Sequence, residues 1–148
     1  MAGYVFLTVE QWTKLPVDAA KSVFVISYFT GIAGAVVALR YNGYQVVHIA
    51  YSETDPDCLS VLRTRFPRAT SLGDCTKIDH RRFKRWMMDW SRDFRMLLFD
   101  SGSPCQGFTL LSAERKGLDD ERSALFWYVP PAIVAAGEAL AGSGERMT

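Results

Sequence analysis

The sequence predicts an α/β fold built on a doubly wound parallel sheet. Apolar, β-branched runs of strand length recur along the chain, and amphipathic helical stretches separate them. Small-residue, glycine or proline turns mark the junctions. Four strand–helix alternations of this kind call for a parallel sheet with helices on its faces.

The elements follow in order. Met1 to Lys21 reads as a leader with a short apolar patch, able to cover a sheet edge. Ser22 to Phe29 (SVFVISYF) has the composition of a buried strand. After the turn Thr30 to Gly34, Ala33 to Asn42 reads as a helix stopped by Asn42-Gly43. Gln45 to Tyr51 is a second strand. Asp55 caps the next helix and Pro56 takes its first position, where a missing N–H costs nothing; Pro67 ends it. Ala69 to Leu72 is a short third strand. Asp79 to Trp90 is an amphipathic helix with Phe83, Trp86, Met87 and Trp90 at helical spacing, and Arg95 to Phe99 is a fourth strand. Asp100 to Leu118 reads as loop. Asp120 to Tyr128 begins a helix that Pro130-Pro131 should halt, and Ala132 to Ala141 reads as a low-information helical tail. The expected divisions are a leader at 1–21, one α/β unit at 22–128 and a divergent tail at 129–148.

Composition bounds the function. With 148 residues, 49% of them hydrophobic and 22% charged, the chain can bury a real core. Its net charge of +1 excludes a whole-chain basic field for nucleic acid, so any such contact must use local patches. Cys58, Cys75 and Cys105 form no C-x-x-C pair, and the N-terminus lacks a secretory pattern. Free thiols in an intracellular, reducing compartment are expected, the nucleus if the source is eukaryotic. No membrane association is expected, and no metal, since His48 and His80 have no third ligand nearby. The basic run Arg81-Arg82, Lys84-Arg85 reads as a solvated helix face.

In a sheet of this type, ligands lie beyond the carboxyl ends of the strands. The turn Phe29-Thr30-Gly31-Ile32-Ala33-Gly34 stands there. Gly31 and Gly34 permit close backbone approach, and the helix that follows offers unpaired N–H groups. Roughly 20 positions on, Glu53 follows the second strand, where an acid can accept both ribose hydroxyls of an adenosine-containing cofactor. Asp74 follows the third strand and can accept from an adenine amine. Each has a plain alternative: Glu53 as a cap for the next helix, Asp74 as a turn residue. The P-loop pattern for triphosphates is absent. After the fourth strand comes Gly102-Ser103-Pro104-Cys105-Gln106. A thiol among such neighbours is suited to nucleophilic attack, whereas Cys58 and Cys75 fit the role of inert small hydrophobes.

Taken together, these residues resemble the DNA (cytosine-5) methyltransferases. The Phe-x-Gly turn, the ribose acid Glu53, Gly73-Asp74, the loop Gly102 to Thr109 around Pro104-Cys105, and the stretch Gly117-Leu118-Asp119-Asp120-Glu121-Arg122-Ser123-Ala124-Leu125-Phe126 match its motifs in order. Arg115-Lys116-Gly117-Leu118 and the Gly-Ser-Pro-Cys form resemble the de novo eukaryotic branch. The resemblance implies a Rossmann-like S-adenosylmethionine-dependent methyltransferase fold, C-terminally truncated. It implies S-adenosylmethionine held by Phe29, Thr30, Gly31, Ile32, Gly34, Glu53, Thr54, Asp74, Cys75, Ser103 and Pro104, with Cys105 as nucleophile toward a cytosine flipped out of DNA. Thr30 departs from the acid usual there, and no Glu-Asn-Val, Arg-x-Arg or recognition segment follows Trp127. Weak or no methyl transfer by the chain alone is therefore expected, with a second methyltransferase chain as a partner. The alternative is an inactive binding or regulatory module, or a gene fragment.

Overall fold

The computed structural model describes residues 21–90, 94–108 and 116–144. Four parallel strands form one sheet in the order β3-β2-β1-β4: β1 Ser22–Tyr28, β2 Gln45–Ser52, β3 Thr70–Ser71 and β4 Met96–Ser101. Between them run α1 (Gly34–Tyr41), α2 (Pro56–Arg65) and α3 (His80–Trp90), and α4 (Val129–Gly144) closes the order. This is the α/β architecture the sequence predicts. The leader read at 1–20 lies outside the described residues.

β1 is the central strand, and every residue of it is buried. Its alternation divides the core in two. Phe24, Ile26 and Tyr28 face α3 and α4, while Val23 and Val25 face α1 and α2. A strand covered on both faces needs apolar residues at successive positions, which is what SVFVISY supplies. β3 is shorter than its sequence suggests and pairs only Ala50 and Tyr51 of β2.

Local signals act as read at several helix ends. Asp55 caps α2 by accepting from the Asp57 and Cys58 amides, both at 2.9 Å. Asp79, read as the first residue of its helix, instead caps α3, accepting from the Arg81 amide at 2.9 Å and the Arg82 amide at 3.2 Å. Asn42 closes α1 through its amide on the Ala38 carbonyl, 2.8 Å, and Gly43 takes the left-handed conformation beyond it. α3 buries Phe83 and Met87, and Trp86 and Trp90 pack half-buried against the same core.

The C-terminal reading needs correction. Pro130 and Pro131 do not halt a helix; they sit in the first turn of α4, where backbone N–H groups have no helical partner to lose. A 3-10 segment, Ser123–Tyr128, leads into it. The alanines read as low-information tail are a packing seam: Ala132, Ala135, Ala136 and Ala139 are buried in the α3-side core. Small side chains let α4 approach closely, and Lys84 of α3 reaches Glu138 at 2.7 Å across the helix pair. The helical run Ser123–Ala141 is 19 residues with mean hydropathy 1.4, long and apolar enough to cross a membrane by length and composition, which the sequence reading did not anticipate. Here its alanine seam is spent on α3.

Candidate functional site

Two loops meet at the carboxyl ends of β1, β2 and β4. The first is the turn after β1. The Phe29 amide donates to the Ser52 carbonyl at 2.9 Å, extending the β1–β2 ladder by one bond. Phe29 then takes φ 56°, Gly31 φ 56° and Ala33 φ 62°. Glycine reaches this left-handed region freely, but Phe29 and Ala33 do not, and such strain costs roughly 1–3 kcal/mol per residue. It persists only where neighbours hold it, and it gathers at ligand clamps. Thr30 helps hold it: its hydroxyl donates to the Ser27 carbonyl at 2.6 Å.

Glu53 braces the same turn from β2. Its Oε2 accepts from the Gly31 amide at 2.8 Å, and its Oε1 from the Thr54 and Asp55 amides at 2.8 and 3.0 Å. The cap of α2 is Asp55, so Glu53 instead ties the glycine turn to the end of β2. Three backbone donors take three of the roughly four acceptor positions of this carboxylate, which leaves about one free and fixes its direction. Ala33 precedes α1 without a side-chain cap, and the first turn of α1 has no acid. A Cβ added at Gly31 or Gly34 would meet nothing within 4 Å, so the space over both glycines is open. Ile32 stands 55% exposed there, and Thr54, after Glu53, is also exposed.

Asp74 follows Gly73, which is also left-handed (φ 73°). One of its oxygens accepts from the Thr76 amide and hydroxyl at 2.9 and 2.8 Å, and the other lies 3.5 Å from Lys77 Nζ. These bonds, Thr76 first, hold its carboxyl below the usual carboxylate range. The turn role weighed for Asp74 is real: it caps the 3-10 helix Cys75–Lys77. Ser52 ties β2 to this loop by donating to the Gly73 carbonyl at 2.7 Å.

The second loop follows β4. The Gly102 amide donates to the Tyr28 carbonyl at 3.2 Å, and a Cβ added at Gly102 would make an ordinary contact with the Phe29 carbonyl at 3.7 Å. The Pro-Cys loop therefore departs from directly beside the strained turn. Ser103 and Pro104 are half-buried, and Cys105 is exposed at the loop's crest. The Phe108 amide donates to the Cys105 carbonyl at 2.9 Å, curling the chain into the 3-10 turn Gln106–Phe108.

The sequence stretch Gly117 to Phe126 explains itself as the dock for this loop. Asp120 takes Arg122 in a two-pronged grip, Nε at 3.1 Å and Nη2 at 3.0 Å, which holds the Asp120 carboxyl down to about 2. The adjoining Ser123 is buried and accepts from the Gly107 amide at 3.1 Å. Gly107 fits so tightly that a Cβ would stand 2.5 Å from the Gly117 carbonyl and 2.7 Å from Ser123 Oγ. Gly107→Ala is expected to lower stability by about 1–3 kcal/mol, the usual cost of overpacking, read as a reduced denaturant midpoint. It should also raise protease cleavage around the loop. Sequence reading assigned Gly107 only to the motif. Its partner Ser123 is 16 positions away, and nothing local signals the contact.

Two expected cofactor residues have side chains turned inward. Thr30 is buried with its hydroxyl committed to the turn, and the Cys75 thiol is buried in the α3-side core. Burial and the Asp74 carboxylate push that thiol up, and burial and Asp55 push Cys58 up. Thiolate fraction and access together set alkylation rate. Iodoacetamide at mildly alkaline pH should therefore modify Cys105 first, roughly tenfold or more ahead of the other two, by peptide mass mapping. Cys105→Ser should remove the fast phase. Sequence reading also missed a polar tie under the site: Ser27 donates to Asp100 Oδ2 at 2.9 Å, joining β1 to β4 two residues before Gly102. Among the described residues no group of three His, Cys, Asp or Glu could hold a metal ion. Thr109 and Arg115, quoted for the motifs, lie outside the described residues.

Comparison with known proteins adds a family. The family described as C-5 cytosine-specific DNA methylase matches residues 23–136, from the start of β1 through Cys105 and into α4. Among curated proteins, the chain is 30% identical over 105 residues to the orphan methyltransferase M.Rho11sI of Bacillus phage rho11s, covering 70% of this chain and 19% of that protein. It is likewise 30% identical over 105 residues to the orphan methyltransferase M.SPRI of Bacillus phage SPR, covering 70% of this chain and 21% of that protein. The chain thus spans about a fifth of the length of these relatives. Both come from phages, and they give no support to the expected kinship with the de novo eukaryotic branch.

Proposed function

The chain belongs to the C-5 cytosine-specific DNA methylase family, and from that premise we propose that it supplies the S-adenosylmethionine turn and the nucleophilic cysteine for methyl transfer to cytosine in DNA. The observation that carries this reading is the seating of the Cys105 loop directly against the strained Phe29 turn, through Gly102 on Tyr28.

The turn suits the cofactor. The open space over Gly31 and Gly34, the exposed Ile32 and the fixed Glu53 carboxylate make an apolar wall with one directed acceptor. Phe29 and Ile32 would pack on the adenine, Glu53 would hold the ribose through its remaining acceptor position and Asp74 would accept from the adenine amine. The uncapped start of α1 suits the cofactor's carboxylate. S-adenosylmethionine, when bound, supplies an electrophilic methyl group.

Cys105 does the protein's covalent work. Its thiolate adds to C6 of a flipped cytosine, and the ring electrons move toward C5 and N3. This addition would make C5 nucleophilic toward the methyl group that bound S-adenosylmethionine supplies, with S-adenosylhomocysteine as the leaving group; loss of the C5 proton to water and breakage of the S–C6 bond would then restore the thiolate and the aromatic ring. Ser103 and Pro104 shape the wall beside the base. Glu138 is paired with Lys84 across the α3–α4 seam and is not assigned a part in this chemistry.

The test is calorimetric titration of S-adenosylmethionine into the purified chain, with ATP as a control ligand. The reading predicts saturable one-to-one binding, displaced by S-adenosylhomocysteine and absent for ATP. A folded chain that binds neither S-adenosylmethionine nor S-adenosylhomocysteine would overturn it.

A further inference from the structure

A second cleft lies diagonally across the sheet from Cys105. It flanks the first half of β2, on the side away from β1, with a volume of about 540 Å³. β4 and the Cys105 loop belong to the opposite edge. Arg40, Arg65 and Arg68 line this cleft together with Phe66 and Val46 to Ile49 of β2, and no carboxylate lines it. Among the described residues none of the three arginines has a carboxylate partner.

The cleft exists because β3 is short. It pairs only Ala50 and Tyr51, so among the described residues Gln45 to Ile49 have no ladder partner on this side. Just upstream of β3, Phe66 to Ala69 line the other side of the cleft, in a turn closed by the Ala69 amide on the Phe66 carbonyl, 2.9 Å. Arg40 is half-buried with its guanidinium 5.3 Å from the centre of the Phe66 ring, and burial pulls it below its ordinary value. A partly desolvated cation without a counter-charge is costly, and an incoming anion would relieve that cost.

We propose that this cleft binds an extended acidic peptide from a partner protein, which adds as a strand beside Gln45 to Ile49 and places its carboxylates on Arg40, Arg65 and Arg68. The free strand edge supplies main-chain hydrogen bonds, and the arginines select acidic side chains. About five residues of edge span roughly 16 Å, enough for two alternate side chains of a paired strand to reach the arginine side. Target DNA engaged at Cys105 lies at the other edge, and nucleic acid cannot pair with a strand's amides in register. A bulge at Val47, between the Val23–Val46 and Phe24–His48 pairs, is a device that can also guard an open edge. The test separates guarding from docking.

The full chain is titrated against a fluorescein-labelled peptide of alternating glutamate and valine, read by anisotropy. A second peptide has proline in place of each valine, which keeps the charge and removes the N–H groups that pair. Arg65 and Arg68 are both exposed, so Arg65→Glu with Arg68→Glu should leave the fold intact, checked by thermal midpoint. Docking predicts saturable binding of the valine peptide, roughly tenfold weaker for the proline peptide and for the charge-reversed protein, with no displacement by short duplex DNA or inorganic phosphate. Equal binding of the proline peptide, or displacement by phosphate, would reduce the cleft to an anion patch and overturn the proposal. Displacement by duplex DNA would make it a nucleic-acid contact, and no binding at all would make it a guarded edge; either result sinks the peptide.

Discussion

Replacing Glu53 with alanine is expected to weaken S-adenosylmethionine binding about 100-fold. Hydrogen bonds to a charged acceptor contribute roughly 1.5–3 kcal/mol each, and one ribose hydroxyl on the free position, at the high end, gives about 3 kcal/mol, where 1.4 kcal/mol is tenfold. The substitution also frees the Gly31 amide, so the turn that holds Phe29 in its left-handed conformation loses its brace from β2. Glu53→Gln separates the two effects. Its single amide oxygen still accepts, but its NH₂ then meets backbone donors, so intermediate affinity is expected. An unchanged thermal midpoint for Glu53→Ala would place the loss at the ligand rather than the fold. Full affinity in that variant would remove Glu53 from the cofactor site.

Phe24→Ala should be the most damaging change to stability, at about 3–5 kcal/mol. Phe24 is fully buried in the middle of β1. Its ring lies 5.2 Å from Phe94, 5.7 Å from Trp86 and 5.9 Å from Trp90, the last two edge-on. His48, on the neighbouring strand, is 5.1 Å from Phe24 and stacks on Trp90 at 4.0 Å. Removing the ring leaves a cavity walled by large, rigid side chains that cannot collapse into it. Domains of this size are stable by roughly 5–15 kcal/mol, so the loss is a large share of the total. It should show as a lower denaturant midpoint with an unchanged slope. A midpoint that barely moves would mean that the aromatic cluster is not the keystone between β1 and α3.

What was legible in the sequence follows from how local each signal is. β1 declared itself because a strand buried on both faces must be apolar throughout. The turn declared itself because Gly31 and Gly34 sit between a strand and a helix, and Asp55 and Pro56 marked the start of α2 by cap chemistry alone. Cys105 stood out because its neighbours are not core residues, and the structure does expose it. The rest depended on partners distant in sequence. Pro130-Pro131 breaks a helix interior but is harmless in a first turn, and only the packing of α4 on α3 fixes where that turn begins. Ala132, Ala135, Ala136 and Ala139 carry no local signal of burial until α3 stands opposite them. The Ser27–Asp100 bond spans 73 positions and joins two polar residues that each look dispensable alone. Asp74 was seen with two possible roles, and the structure shows the turn role, a cap on the 3-10 segment Cys75–Lys77.

The covalent trap tests the central claim most directly. Duplex DNA carrying 5-fluoro-2′-deoxycytidine is incubated with the chain and S-adenosylmethionine. Fluorine at C5 cannot leave as the proton does, so an adduct that has taken the methyl group stays on the enzyme. Because weak transfer by the chain alone is expected, the proposed function predicts a slowly formed, low-yield complex that resists denaturation, needs cofactor, maps to Cys105 and vanishes in Cys105→Ser. A chain that binds S-adenosylmethionine and this DNA yet forms no complex, or forms it equally in Cys105→Ser, would contradict it.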